Sequence, residues 1–143
     1  MKHSYFPDIN VWLSLNAADH VHTKPALEWY YSIESEDVFY FCRLTQLGLL
    51  RLLTTKSVMG VDTHSQRDAW MVYCKWRDDA GAGFMNEPAG IDTLFRARSE
   101  TTQASPKLWN DAYLAAFAET AGLTLVTFDK ALAERAKGSF LLA

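Results

Sequence analysis

Three aspartates, Asp8, Asp111 and Asp129, are the residues of this sequence best placed to do chemistry. Asp111 makes the heaviest demand. Leu108 lies three residues before it, and Leu114 and Ala115 lie three and four after, so at helical spacing they share its face. A carboxylate pointing along an apolar stripe is costly unless it is paired, hydrogen-bonded or bound to a cation. A buried salt bridge is the plain alternative. Asp8 follows a short strand candidate, and Asp129 sits at the carboxyl end of LTLVTF, an apolar β-rich run. Each of these two could be only a helix N-cap, worth about 1 kcal/mol. Together the three acids favour a divalent cation site. All-oxygen ligands fit hard Mg²⁺ or Mn²⁺ better than zinc. Mg²⁺ keeps several waters and takes one or two protein carboxylates, so two firm ligands and a substrate phosphate suffice. Such an ion polarises a phosphodiester and activates a water, with no nucleophilic side chain required. The expected reaction is phosphodiester hydrolysis. Asn10 lies close enough to Asp8 to join its loop, and Thr127 shares the side of the strand that Asp129 takes.

These acids need a scaffold that brings distant segments to one edge. Ser4 to Pro7 reads as a strand with Tyr5 and Phe6 at its core, and Ile9 to Leu15 as a helix. Asp19 to Thr23 is a polar loop carrying His20 and His22, read as ordinary loop residues. Lys24 to Ser32 is a helix, Glu34 to Asp37 a turn, and Val38 to Phe41 a buried strand. Arg43 to Leu53 is helical, with Leu47, Leu50 and Leu53 as one stripe. Gly48 interrupts its propensity and marks a close backbone approach. Thr54 to Thr63 reads as a loop and His64 to Asp78 as an amphipathic helix with Trp70, Tyr73 and Trp76 in core or interface. Phe84 to Met85 is a short strand, Gly90 to Arg98 a short helix or turn, and Ser99 to Ser105 a polar loop. Ser105 suits an N-cap and Pro106 the first helical position of the helix carrying Asp111; Gly122 stops it. Lys130 to Lys137 is a helix, Gly138 ends it, and Ser139 to Leu142 closes with a strand.

Strands alternating with helices predict an α/β fold with a mostly parallel sheet. In such a sheet the carboxyl ends of the strands share an edge where ligands bind. With 143 residues and no linker or repeat, one domain spanning 1–143 is expected. Almost half the residues are hydrophobic, with five Trp, eight Phe and six Tyr, enough for a core without disulfides. Cys42 and Cys74 have no metal-binding spacing and read as two reduced, buried thiols of a cytoplasmic protein. The net charge of −3 argues against a nonspecific nucleic-acid coat but leaves room for a local basic groove. No signal sequence or membrane span is read, so no membrane association is expected.

The stretches PDINVWL, LTQLGLLRLLT and NDAYLAAFAETAGLTLVTFDKAL resemble the PIN domain, and most closely the VapC-type ribonuclease toxins of type II toxin–antitoxin modules. The resemblance covers nearly the full length. It implies a three-layer α/β/α sandwich, a Mg²⁺-dependent endoribonuclease, an RNA substrate of the tRNA or rRNA class, a cognate antitoxin that blocks activity, and a homodimer. It assigns metal-ligating and catalytic roles to Asp8, Asp111 and Asp129, with Asn10 and Thr127 in support. One position departs from the pattern: where most relatives carry a Glu, this chain has Gly48, and the nearest polar side chain is Gln46, an outer-shell substitute or a surface glutamine. Arg43 and Arg51 flank that helix and are candidates for RNA phosphate contact. Exposed apolar stripes on the early helices would suit an antitoxin helix.

Two other readings stand beside this one. A non-catalytic PIN-like binding module would carry the missing Glu as the mark of a lost active site. A small phosphoacceptor or phosphatase would use Asp8 as nucleophile, but no basic residue stands near it in sequence.

Overall fold

The computed structural model describes residues 2–17 and 20–142. Five parallel strands form its sheet: β1 (Ser4–Pro7), β2 (Val38–Phe41), β3 (Gly83–Phe84), β4 (Thr124–Thr127) and β5 (Phe140–Leu141). Their order is β3-β2-β1-β4-β5. The described helices are α1 (Ile9–Asn16), α2 (Thr23–Ser32), α3 (Arg43–Leu53), α4 (Lys56–Met59), α5 (Gln66–Asp78), α6 (Ile91–Ser99), α7 (Leu108–Ala121) and α8 (Lys130–Arg135).

The short strands explain the layering. Successive side chains of a strand point to opposite faces. Tyr5 joins a core with Val11, Trp12 and Trp29, while Phe6 joins a second core with Leu114 and Phe117. Phe39 and Phe41 enter the first core, and Tyr40 packs on the second. In β4, Val126 goes one way and Leu125 the other. Both sheet faces are therefore covered, α1, α2, α3 and α5 on one side and α6, α7 and α8 on the other. This is the expected three-layer sandwich, and its sheet is wholly rather than mostly parallel.

The order of strands decides where the site lies. From β1 the chain winds outward through β2 to β3, then returns to the other side of β1 to lay down β4 and β5. The winding direction reverses between β1 and β4, the place where open α/β sheets bind ligands. Asp8 directly follows β1, and Asp129 lies two residues past the end of β4.

Several sequence expectations are corrected. α7 starts at Leu108 after Lys107, not after a Ser105 cap; the Ser105 carbonyl accepts from the Leu108 N–H at 3.0 Å, so Pro106 lies in a turn before the helix. Leu47 is 56% exposed, and the buried face of α3 is Thr45, Gln46, Gly48, Leu49 and Leu53. The stretch from Thr54 to Thr63 holds α4 and a 3₁₀ turn at Gly60–Asp62. α5 begins at Gln66, because the Ser65 hydroxyl caps it through the Asp68 N–H. Its Tyr73 is buried while Trp70 is half exposed. Cys74 is exposed, and only Cys42 is buried. The loop expected from Asp19 begins outside the described residues.

Candidate active site

Asp8 is 5% exposed, and both its oxygens are engaged. Oδ1 accepts from the Val11 N–H at 3.0 Å, which makes Asp8 the N-cap of α1. Oδ2 accepts from the Thr127 hydroxyl at 2.5 Å. The same hydroxyl oxygen accepts from the Asp129 N–H at 3.0 Å. Thr127, fully buried at the end of β4, thus ties the two acids together. Burial pushes the Asp8 pKa up to about 6, against the pull of the Thr127, Val11 and Asn10 hydrogen bonds, and the Asp129 charge adds to the rise.

Asp129 caps α8, its Oδ1 accepting from the Leu132 N–H at 3.2 Å. Its Oδ2 accepts from the Lys107 ammonium at 3.2 Å. Burial raises its pKa, but the Leu132 and Lys107 hydrogen bonds outweigh this and hold it below the usual range. Both acids are helix caps, and in each one oxygen caps while the other faces its neighbours, so the cap by itself does not exclude a site role. A carboxylate oxygen has lone pairs to spare for a further partner.

Asp111 stands in the first turn of α7 and is half-buried, not sunk in the apolar stripe. Leu108, Leu114 and Ala115 bury as expected, but the carboxylate lies at their margin. Its pKa is raised by burial and by the Asp129 charge, and Lys107 and Arg135 oppose that rise. Asp129 is thus the hub, interacting with Asp8 on one side and Asp111 on the other.

Among the described residues no set of three or more His, Cys, Asp or Glu side chains is placed to hold an ion. The donor set nonetheless fits a hard cation. It is all oxygen, and an ion such as Mg²⁺ needs only one or two carboxylates with waters for the rest. The structure also contains a stand-in, since the Lys107 ammonium is drawn to Asp129 and feels Asp111 as well.

The supporting residues divide. Thr127 is brought to the site, as above. Asn10 contributes its backbone hydrogen bond to Asp8, while its side chain is exposed. Gln46 is buried, not a surface glutamine, and its Oε1 accepts from Arg43 at 2.5 Å. Arg43 lies at the carboxyl edge, its guanidinium 4.8 Å over the Phe84 ring. Arg51 is in the last turn of α3, about 12 Å further along the helix, beside Trp70 rather than the acids. His22 stacks on Phe128 at 4.1 Å, so the early loop touches the residue between Thr127 and Asp129. Lys107 was not among the sequence candidates. Its signal was present, four residues ahead of Asp111.

A PIN domain family model matches residues 5–138. The chain belongs to the PIN domain family. It is 42% identical over 135 residues to Ribonuclease VapC41 of Mycobacterium tuberculosis, across 89% of this chain and 90% of that protein. The structure superposes on VapC20 of M. tuberculosis, a toxin that cleaves the sarcin-ricin loop, with a TM-score of 0.64 at 16% identity, covering 91% and 93% of the two chains. It matches VapBC-1 of nontypeable Haemophilus influenzae with a TM-score of 0.67 at 12% identity, covering 96% of each. At those identities the likeness speaks for the PIN fold alone.

The fold also explains Gly48. A Cβ there would lie 2.4 Å from Ile9 Cδ1, 2.6 Å from Cγ1 and 2.9 Å from Cγ2. The side chain that follows Asp8 occupies the space a longer residue at position 48 would need. The missing acid and the isoleucine are one packing solution.

Proposed function

We propose that this PIN-domain protein is a metal-dependent endoribonuclease acting as the toxin of a toxin–antitoxin pair. The observation that supports it most is that the Asp129 charge, at the reversal point of the sheet, acts on Asp8 and on Asp111 alike. The relative named Ribonuclease VapC41 points to the same activity.

Asp8, Asp111 and Asp129 would hold Mg²⁺ or Mn²⁺, which when bound supplies Lewis-acid polarisation of the phosphodiester and a more acidic attacking water. The chain's own residues do the positioning. Thr127 fixes Asp8 and the Asp129 backbone in one hydrogen-bonded chain, so the two acids keep a set separation. Raised pKa values at Asp8 and Asp111 describe acids whose charge calls for a cation. Arg43 at the same edge offers a guanidinium to an RNA phosphate. RNA of the tRNA or rRNA class is the proposed substrate.

A cognate antitoxin is the proposed partner, supported by the neighbouring VapBC complex. A cleft of about 730 Å³, lined by Val21, Val58 and Val61 together with the polar Asn16, Asp62 and His64, is the proposed seat for it. A homodimer is proposed as well, with exposed Leu47 and Trp70 as apolar surface. No helix among the described residues is long and apolar enough to cross a membrane; a cytoplasmic setting is proposed.

The second reading, a non-catalytic binding module, draws on the Ile9–Gly48 packing that leaves no acid on α3. One experiment separates the two. Purified protein is incubated with total tRNA and with ribosomes, with Mg²⁺, Mn²⁺ or EDTA, beside Asp8→Asn. Metal-dependent cleavage lost in the variant is expected. RNA binding without cleavage under every condition would favour the binding module.

A further inference from the structure

We propose that Lys107 is the resident counter-ion of the Asp129–Asp111 pair and competes with the divalent cation for it, so that metal binding must displace the ammonium. This inference rests on the reading of those acids as metal-holding.

The geometry carries it. Lys107 is the residue immediately before α7, four positions ahead of Asp111, which sets the two on one face of the helix start. Its Nζ lies 3.2 Å from Asp129 Oδ2, the oxygen that the α8 cap leaves free. Cap and counter-ion thus occupy different oxygens, and the ammonium can leave without unmaking the cap. The Lys107 side chain is 77% exposed and Asp129 only 28%, so the mobile partner is the lysine. A lysine on a flexible stem is a point charge that moves at little cost, whereas a guanidinium holds a carboxylate in a fixed fork. An ammonium and a dication drawn to the same two acids repel one another.

The consequence is a threshold. With Lys107 in place, Asp129 and Asp111 are partly neutralised and the protein is balanced without metal. In this chain no acid at position 48 strengthens the site's pull on a cation, so the lysine's opposition counts for more.

The test is calorimetric titration of Mn²⁺ into the full chain at low salt, comparing wild type, Lys107→Met and Lys107→Arg. Lys107→Met should bind Mn²⁺ about three- to tenfold more tightly, the range expected when one exposed charge is removed beside a dication. Lys107→Arg, which keeps the charge, should stay at or below wild-type affinity. Added Mn²⁺ should also raise the melting temperature of Lys107→Met more than that of wild type. Equal or weaker Mn²⁺ binding by Lys107→Met overturns the proposal and leaves the acids as metal ligands. Failure of all three proteins to bind Mn²⁺ overturns the metal reading of the acids, and the competition with it.

Discussion

Replacing Asp8 with Asn should remove the function and stabilise the fold. Asp8 is nearly fully buried, and its pKa stands at about 6 against 3.8 for a free side chain. A folded-state pKa above the unfolded one means that the native state holds the extra proton between those values. Stability therefore falls as pH rises through that window and stays low above it. From the two pKa values, folding around Asp8 costs about 3 kcal/mol at pH 8, where the buried group is charged, and about 1 kcal/mol at pH 4.5, where it takes up a proton on folding. Asparagine resembles the protonated acid. Its carbonyl can still accept from the Val11 N–H and cap α1, and its amide can donate to the Thr127 oxygen, which already accepts from the Asp129 N–H and has a second lone pair. Urea unfolding in EDTA at the two pH values measures the difference. Asp8→Asn should exceed wild type by about 1–3 kcal/mol at pH 8, with most of the gain gone at pH 4.5. Mn²⁺ should then stabilise wild type and leave the variant unmoved. A variant that is less stable at both pH values, or whose advantage does not change with pH, refutes the account of Asp8 as a desolvated charge awaiting a cation.

The remaining expectations concern the residues around it. Thr127→Val keeps the shape but leaves Asp8 Oδ2 and the Asp129 N–H unpaired; a loss of about 1–3 kcal/mol is expected by urea unfolding, together with most of the cleavage activity. Asp129→Ala removes the α8 cap and the Lys107 partner, so activity should fall and stability drop by about 1 kcal/mol; wild-type melting together with wild-type cleavage would remove both roles. Gly48→Glu should fold poorly alone, at a cost of about 1–3 kcal/mol from overpacking Ile9, and Ile9→Ala in the same chain should recover part of it. If both are equally stable, the packing account of Gly48 fails. Mn²⁺ affinity should rise with pH through about 6 as Asp8 loses its proton, and a flat profile from pH 5 to 8 would place Asp8 outside the metal site.

Much of this molecule was legible from residue types and spacing alone, because its strongest signals are local. The apolar runs of β1, β2 and β4, the helical periodicity of α7 and the left-handed Gly122 that ends it depend on neighbours a few residues apart. Asp8 and Asp129 stand directly before helices, so their caps were readable too. Boundaries set by side-chain competition were less so. Ser105 is a good cap residue, yet the chain turns through Pro106 and starts the helix three residues later. Leu47, Leu50 and Leu53 share a spacing, but which face of α3 meets the core depends on α1 and the sheet, and Leu47 fell outside.

Sequence by itself determined the acids, their order along the chain and the α/β alternation that sends them to one edge. Only the tertiary structure decided their relations. That the winding reverses between β1 and β4 puts Asp8 against Thr127, residues separated by most of the chain, and no local pattern encodes such a pairing. It also decided the charges: Asp8 became the buried acid, and Asp111 is only half-buried where the α7 stripe implied burial. The pairing of Lys107 with Asp129 and the filling of the space beside Gly48 by Ile9 belong to the same class. Hydrophobic periodicity is a property of neighbours along the chain, whereas desolvation and ion pairing are set by whatever the fold brings within a few ångströms.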